Sequence, residues 1–169
     1  HEKIICKPNS FYSQAKLQAT QHLLRLFKKK RFPATILRFY LVYGPKQDNN
    51  RFVSNIIIGC IKNKKFPCSK GDQMRDFCYI DDVIKSIFLS FRFKEAKGNI
   101  FNIGYGKPIK IKKLIKYINL KVGKGFPQFG LKKYRDDEVM KYYPIIKKVK
   151  NKLKWKPKIS LKNGINKTI

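Results

Sequence analysis

Apolar side chains follow two different periods in the N-terminal part of the chain, and each period predicts an element. Between positions 11 and 30 they recur at helical spacing. This spacing predicts one helix, capped by Asn9 or Ser10, with an apolar side formed by Ala15, Ala19, Leu23, Leu26 and Phe27. From 34 to 43 the apolar character is nearly continuous, so this run predicts a buried strand that Gly44-Pro45 ends.

The same alternation continues through the rest of the chain. Up to Gly104 it predicts a helix over 51–63, a strand over 75–80, a helix that begins at Asp81 or Asp82, and a strand over 99–103. Beyond Gly104 it predicts a helix around 111–118, a loop over 123–130, a helix with Pro144 in its first turn, and a final helix capped by Ser160. Helices that alternate with buried strands are typical of an α/β fold with a parallel sheet.

Composition narrows the class of protein. A chain of 169 residues with 43% hydrophobic content forms one domain or parts of two. No apolar run approaches a membrane span, and no secretory signal is visible at the start. The four cysteines include no C-x-x-C pair, and only two histidines are present, so we expect no metal site, reduced thiols and a cytoplasmic location.

The net charge of +30 raises the question of a nucleic acid partner. The excess is mostly Lys and is spread along the whole chain, whereas recognition of bases and phosphates favours Arg. We therefore interpret the charge mainly as a solvated surface of biased composition. The alternative is a module that binds polyanions through Lys147–Lys158 and Trp155.

One pair of residues, Tyr12 and Lys16, suggests chemistry. A tyrosine and a lysine four positions apart on a helix share one face, where the ammonium favours the ionised phenol. Such a phenol can exchange protons with a sugar hydroxyl. The same spacing recurs at Tyr117/Lys121 and Tyr143/Lys147, so only sequence context selects the first pair.

That context is a series of motifs in a fixed order. Tyr12/Lys16 is followed by Tyr43-Gly44-Pro45, by Gly71 to Val83 with Arg75-Asp76-Phe77 inside it, by Asn102-Ile103-Gly104, by Tyr134-Arg135-Asp136, and by Leu153-Lys154-Trp155. The series resembles the C-terminal half of the extended short-chain dehydrogenase/reductase family, the NAD-dependent nucleotide-sugar epimerases and dehydratases.

The resemblance implies a fold and a division of the chain. We expect the second half of a Rossmann-type parallel sheet, formed by 1–50 and 75–106. A small mixed α/β subdomain for the nucleotide sugar would comprise 51–74 and 107–169. The resemblance also implies a homodimer.

The resemblance also implies roles for individual residues. Tyr12 corresponds to the catalytic acid/base, and Lys16 to the lysine that acidifies it and holds the nicotinamide ribose of NAD or NADP. Arg75 and Arg135 correspond to arginines that bind the diphosphate of a nucleotide-diphosphate sugar, a role that suits the guanidinium fork. An ion pair of Arg75 with Asp76 or Asp72 is the alternative for that residue.

Two departures from the family pattern affect function. Leu41 stands where the family usually has an Asn that touches the sugar nucleotide. The glycine-rich turn for the dinucleotide has no counterpart before Tyr12, so we expect the chain to be the second half of such an enzyme. By itself this half would then be an inactive fragment, which is the other alternative to an NAD(P)-dependent activity at sugar C4.

Overall fold

The computed structural model describes the whole chain, His1–Ile169. Its helices are α1 (Phe11–Lys30), α2 (Phe52–Ile61), α3 (Ile80–Arg92), α4 (Ile111–Val122), α5 (Lys147–Leu153) and α6 (Leu161–Thr168). Its strands are β1 (Ile36–Phe39), β2 (Leu41–Tyr43), β3 (Lys65–Cys68), β4 (Met74–Arg75), β5 (Phe77–Tyr79), β6 (Ile100–Ile103), β7 (Ile109–Lys110), β8 (Phe126–Phe129) and β9 (Lys141–Tyr142).

Most strand pairs are parallel. β1 pairs with β6, with Ile36 opposite Ile100, and β2 pairs with β5, with Leu41 opposite Phe77. β3 pairs with β8 in the same sense, whereas β4 lies between antiparallel β7 and parallel β9. The α/β class predicted from the sequence is therefore confirmed.

Two predicted strands are each divided in two. The run over 34–43 breaks at Tyr40, whose N–H still bonds to Ile103 O (3.0 Å) before the chain leaves β6 and pairs with β5 as β2. The run over 75–80 breaks at Asp76, which lies between β4 and β5 and turns its carboxylate inward. A continuous apolar run predicts extended backbone but does not reveal a change of partner.

The loop predicted over 123–130 is wrong, because β8 occupies half of it. Gly123 and Gly125 gave the segment its loop-like composition. Gly125 has φ +85°, and a Cβ there would lie 2.6 Å from the Cα of Cys60, so its glycine allows close packing beside α2. β3, the partner of β8, was not predicted either.

The core consists of two clusters of buried residues. The larger one joins α2, α4 and α6 with β2 and β5, and includes Tyr43, Ile57, Leu114 and Ile165. The second cluster joins α3, α5 and β6 around Trp155. The division into two subdomains stays a prediction.

Helix α1 begins and ends where the sequence predicted, yet none of its residues is buried. Of the five residues predicted on the inner side, Leu23, Leu26 and Phe27 are half-buried, whereas Ala15 and Ala19 are exposed. Phe27 packs so closely on Gly98 that a Cβ at this glycine would lie 2.1 Å from the ring. The predicted apolar side therefore makes contact in the C-terminal part of α1, but not at Ala15 and Ala19.

Two further observations concern the chain as a whole. No helix combines the length and the apolar character that crossing a membrane requires. Cys60, Cys68 and Cys78 are buried free thiols, and burial raises the pKa of each. These three thiols are therefore kept neutral.

Candidate functional site

Tyr12 and Lys16 lie in the first two turns of α1. The helix begins with a capping box, in which Ser10 Oγ accepts from the N–H of Ser13 (3.2 Å) and Ser13 Oγ accepts from the N–H of Ser10 (3.0 Å). Lys16 Nζ is 5.5 Å from the centroid of the Tyr12 ring, so the two side chains share one face. Tyr12 is 73% exposed, and neither residue lines the two cavities described below.

The pair at Tyr117 and Lys121 has similar geometry. Lys121 Nζ is 6.0 Å from the Tyr117 ring centroid, and the Tyr117 hydroxyl donates to Asn166 Oδ1 (3.3 Å). Placement of the lysine over the ring is therefore not unique to Tyr12. What distinguishes Tyr12 must be its surroundings.

One contact connects the start of α1 to a distant segment. Asn9 Nδ2 donates to Asp137 Oδ2 (3.2 Å), across 128 positions of sequence. Asp137 lies between Arg135 and Glu138, which both line the larger cavity. The contact therefore places the beginning of the Tyr12 helix beside the segment that carries the second predicted arginine.

The larger cavity has a volume of about 370 Å³ and contains both predicted arginines. Arg75 enters it from β4, where pairing with β7 and β9 sets its Cα opposite Ile109 and Tyr142. Arg135 enters from the segment that follows β8. Apolar side chains from α2 and α4 also line the cavity: Phe52, Ile56, Ile111 and Ile115.

Arg75 forms an ion pair with Glu138, and not with Asp72 or Asp76 as the alternative interpretation supposed. The two side chains are 14% and 18% exposed, and Arg75 Nη1 also donates to Met74 O (3.0 Å). The N–H of Glu138 donates to Arg135 O (3.0 Å), which joins both arginines to one turn. Glu138 therefore orients Arg75.

Positive charge dominates this cavity. Arg75, Lys132, Lys133 and Arg135 contribute cations, and Glu138 is the one carboxylate in the lining. Cationic side chains in a partly enclosed site attract anions more strongly than the same charges do in open solvent. The chemistry of the lining thus suits a ligand with a charged phosphate part and an apolar or planar part.

Leu41 lies between this cavity and a second one of about 300 Å³, and lines both. Tyr40 lines the second cavity and stacks on Tyr142, with ring centroids 4.8 Å apart. Burial, followed by the proximity of Tyr142, raises the pKa of Tyr40. The side chain of Leu41 offers neither a donor nor an acceptor at this junction.

Asp76 holds the turn that follows β6. Its Oδ1 accepts from the N–H of Tyr105 (2.6 Å), and its Oδ2 accepts from the N–H groups of Gly106 (2.6 Å) and Lys107 (3.0 Å). Burial raises the pKa of Asp76, while these hydrogen bonds oppose the rise. Because the carboxylate occupies these donors, the turn at 105–107 does not offer them to a phosphate.

Trp155 cannot serve as an exposed platform for bases. It is 2% exposed, and its Nε1 donates to Asp82 O (2.9 Å). Asp82 Oδ2 accepts from the N–H groups of Lys158 (2.9 Å) and Ile159 (2.8 Å). The polyanion module proposed around Trp155 therefore lacks its aromatic component, since stacking requires an exposed ring.

Several residues of the larger cavity were missed in the sequence. Lys132 and Lys133 resemble many other lysines of this chain, and Asn55 belongs to no motif. Gln73 lies inside the motif at 71–83, but no role was predicted for it. The cavity joins segments separated by long stretches of sequence, which local patterns do not bring together. Elsewhere, no group of three or more His, Cys, Asp or Glu side chains is positioned to hold a metal ion.

Comparison with known proteins identifies similar sequences. Residues 1–104 match the model of a family described as the NAD dependent epimerase/dehydratase family. The chain is 31% identical over 137 residues to a UDP-glucuronate 4-epimerase of Thermodesulfobacterium geofontis, an alignment that covers 80% of this chain and 42% of that protein. The chain thus spans less than half the length of this relative.

Solved structures show the same relationship. A UDP-glucose 4-epimerase of Thermotoga maritima, in a structure with UDP-glucose, has a TM-score of 0.88 and 27% identity, covering 99% of this chain and 58% of that one. A Bacillus cereus UDP-glucuronic acid 4-epimerase variant, in complex with NAD and a fluorinated UDP-sugar, has a TM-score of 0.89 and 27% identity. That match covers 99% of this chain and 54% of the other.

Proposed function

The chain belongs to the NAD-dependent epimerase/dehydratase family, and we propose from this that it takes part in hydride transfer at C4 of a sugar linked to a nucleoside diphosphate. The observation that carries the proposal is the cavity that Arg75 and Arg135 share beside the start of the Tyr12 helix. The relatives named above are described with UDP-sugars, so UDP-glucose and UDP-glucuronate are the first substrates to assay.

In this proposal, the arginines bind the diphosphate. Two guanidinium groups match phosphate oxygens in geometry and charge, and Lys132 and Lys133 add to the positive potential. Binding energy obtained from the diphosphate, which does not react, then holds the sugar in place for the chemical step.

Tyr12 is the proposed acid/base. As the phenolate, its side chain takes the proton from the C4 hydroxyl during oxidation, and as the neutral phenol it returns that proton during reduction. Lys16 lies on the same helix face, with its Nζ 5.5 Å from the centroid of the Tyr12 ring. NAD or NADP, when bound, supplies the hydride acceptor or donor.

Lys16 is suited to contact the ribose of such a cofactor. The two ion pairs of the chain are Arg75–Glu138 and Lys110–Asp72, so the Lys16 ammonium has no acidic partner. It is therefore free to donate hydrogen bonds to the hydroxyls of a ribose. The exposed face of α1 also leaves room for a ligand there.

A substitution at Tyr12 tests this mechanism. Tyr12→Phe, made in the polypeptide as the source organism expresses it, is expected to lower turnover at least ~10²-fold, because general acid–base catalysis is lost. Turnover is followed by the absorbance of the reduced nicotinamide or by product analysis. Nucleotide-sugar affinity should change little, since the diphosphate contacts remain.

Tyr117→Phe provides a matched control, because it removes a hydroxyl from the other tyrosine that lies beneath a lysine four positions later. This control should keep wild-type turnover. If Tyr12→Phe also keeps near wild-type turnover, Tyr12 has no role in the proton transfer.

A further inference from the structure

Gln73 carries a polar atom that the fold leaves without a partner. The residue is 7% exposed and lines the larger cavity between Ser69 and Arg75. Its Nε2 bonds to Ser69 Oγ (3.4 Å), whereas its Oε1 is buried and has no hydrogen bond. The remaining buried side-chain atom of this kind, Asp82 Oδ1, lies outside the cavity.

A buried acceptor without a hydrogen bond lowers the stability of the folded protein. A buried polar group without a partner loses its hydration and gains no hydrogen bond in return. Nearly all buried side-chain acceptors in folded proteins find a donor. A ligand that places an N–H or O–H group in the cavity would provide that donor.

The backbone holds this amide in a fixed position. Gln73 O accepts from the N–H of Ile111 (3.0 Å), and the following residue, Met74, begins β4. Gln73 immediately precedes β4 and lies two positions from Arg75, so their Cα atoms are at most about 7 Å apart. A nucleoside attached to a diphosphate at Arg75 therefore comes within reach of Gln73.

The orientation of a nucleotide sugar in the cavity follows from its two ends. The Arg75 end lies beside Glu138, with which Arg75 pairs, and the segment of Glu138 contacts the start of α1 through Asp137. The sugar has to lie at that end in order to reach Tyr12. The opposite end, at Gln73 and Ser69 beside β3, then receives the nucleoside.

We propose that Gln73 recognises the nucleoside by accepting a hydrogen bond from it. This inference rests on the function proposed above, and it adds a residue that selects the nucleotide. The donor is either an N–H group of the base or a hydroxyl of the ribose. Both lie on the far side of the diphosphate from the sugar.

Calorimetric titration tests the inference without any need for turnover. UDP, dTDP, CDP, GDP and inorganic pyrophosphate are titrated into the wild-type protein and into Gln73→Leu, which keeps the size of the side chain but not its acceptor. The tightest nucleoside diphosphate should bind the variant about tenfold more weakly, the scale of one neutral hydrogen bond. Pyrophosphate should bind both proteins equally, because it does not reach Gln73.

Two further variants separate the inference from the function on which it rests. Arg75→Ala should weaken both pyrophosphate and the nucleoside diphosphates. Gln128→Leu is the matched control, because Gln128 is a half-buried glutamine on β8 that does not line the cavity. It should bind every probe as the wild type does, and equal stability of the variants in thermal melts shows that folding is intact.

The two sources of the donor are distinguished by the ribo and 2′-deoxy forms of the preferred diphosphate. If only the ribo form loses affinity on Gln73→Leu, the donor is the 2′-hydroxyl; if both forms do, the donor is the base or the 3′-hydroxyl, which both forms carry. Unchanged nucleoside diphosphate affinity in Gln73→Leu would overturn the inference alone and leave Arg75 in its role. Failure of the wild type to bind any diphosphate would overturn the proposed function as well.

Discussion

Asp76 lies next to the predicted arginine, yet its function is in the fold and not in ligand binding. Its two oxygens accept three backbone N–H groups from 105–107. A Cβ at Gly104, the residue before this turn, would lie 2.5 Å from Asp76 Oδ1. The glycine therefore allows the carboxylate to approach the main chain.

Asp76→Asn tests this role. An amide replaces one accepting oxygen with an NH₂ group, which would face a backbone N–H that also donates. We expect the free energy of unfolding to fall by about 1–3 kcal/mol, the cost of leaving a buried donor unpaired. Denaturant unfolding followed by circular dichroism measures the change.

Asp81→Asn is the control for this substitution. Asp81 is an exposed acid in the first turn of α3, five positions along from Asp76. The loss of its charge should alter stability by a few tenths of a kcal/mol at most, a scale usual for exposed positions. Equal destabilisation by the two variants would contradict a specific role for Asp76.

At the scale of elements, the N-caps show which helix starts can be predicted from local sequence. Asn9 or Ser10 was predicted to cap α1 and Ser160 to cap α6, and Ser10 and Ser160 each accept from a backbone N–H in the first turn. Asp81 and Asp82 were predicted to begin a helix, but the N-cap of α3 is Tyr79, with no side-chain bond. Asp82 instead bonds to the main chain at 158–159, a contact that no local pattern contains.

Ser10→Ala should act on the helix that carries the candidate catalytic pair. The loss of a serine cap costs about 1 kcal/mol of helix stability. Because α1 has no buried residue to compensate, fraying should concentrate in the turns that contain Tyr12 and Lys16. Amide hydrogen exchange at 13–17 should become faster, while exchange in α4 stays as in the wild type.

Ser160→Ala is the matched control, since it removes the cap of α6, whose Gly164 and Ile165 are buried. Exchange in α1 should not respond to it. If Ser10→Ala leaves exchange at 13–17 unchanged, the capping box does not hold the start of this helix.

How much of the structure the sequence predicts depends on how far apart along the chain the interacting residues lie. Helix periods gave the bounds of α1, and the apolar run at 34–43 gave extended backbone, since both depend on neighbouring residues. The break at Tyr40 and the pairing of β3 with β8 depend on partners far along the chain. For the same reason, Arg75 and Arg135 were proposed from motifs, whereas Lys132 and Gln73 were found only through the cavity.

At the scale of the whole molecule, one apolar surface is uncovered. Ile84, Phe88 and Phe91 follow one side of α3 and are 42%, 69% and 81% exposed. Their spacing repeats at one and two helical turns, so the three side chains form a stripe. Exposed aromatic side chains grouped in this way favour association.

Lysine substitutions in the apolar stripe of α3 should reduce association. Phe88→Lys combined with Phe91→Lys is expected to lower the binding of an apolar dye and reduce self-association, with little change in unfolding free energy, because neither ring is buried. Dye fluorescence and sedimentation velocity measure these effects. The homodimer implied by the family resemblance stays a prediction, and sedimentation also measures it.

Leu120→Lys is the corresponding control on α4, where Leu120 is 77% exposed. It adds a positive charge without altering the stripe. If this single change lowers dye binding as much as the double substitution, net charge and not the stripe governs association.

The adjacency of Arg75 and Asp76 links two distant parts of the molecule. Their Cα atoms are about 3.8 Å apart, as in any trans peptide. The Arg75 side chain nevertheless enters the larger cavity, whereas the Asp76 side chain holds the turn after β6. In open α/β sheets, ligands bind at the carboxyl ends of the parallel strands. A diphosphate bound at the Arg75 guanidinium would restrain the peptide unit that joins Arg75 to Asp76, and Asp76 holds the turn at 105–107. Filling the cavity should therefore make both regions more rigid.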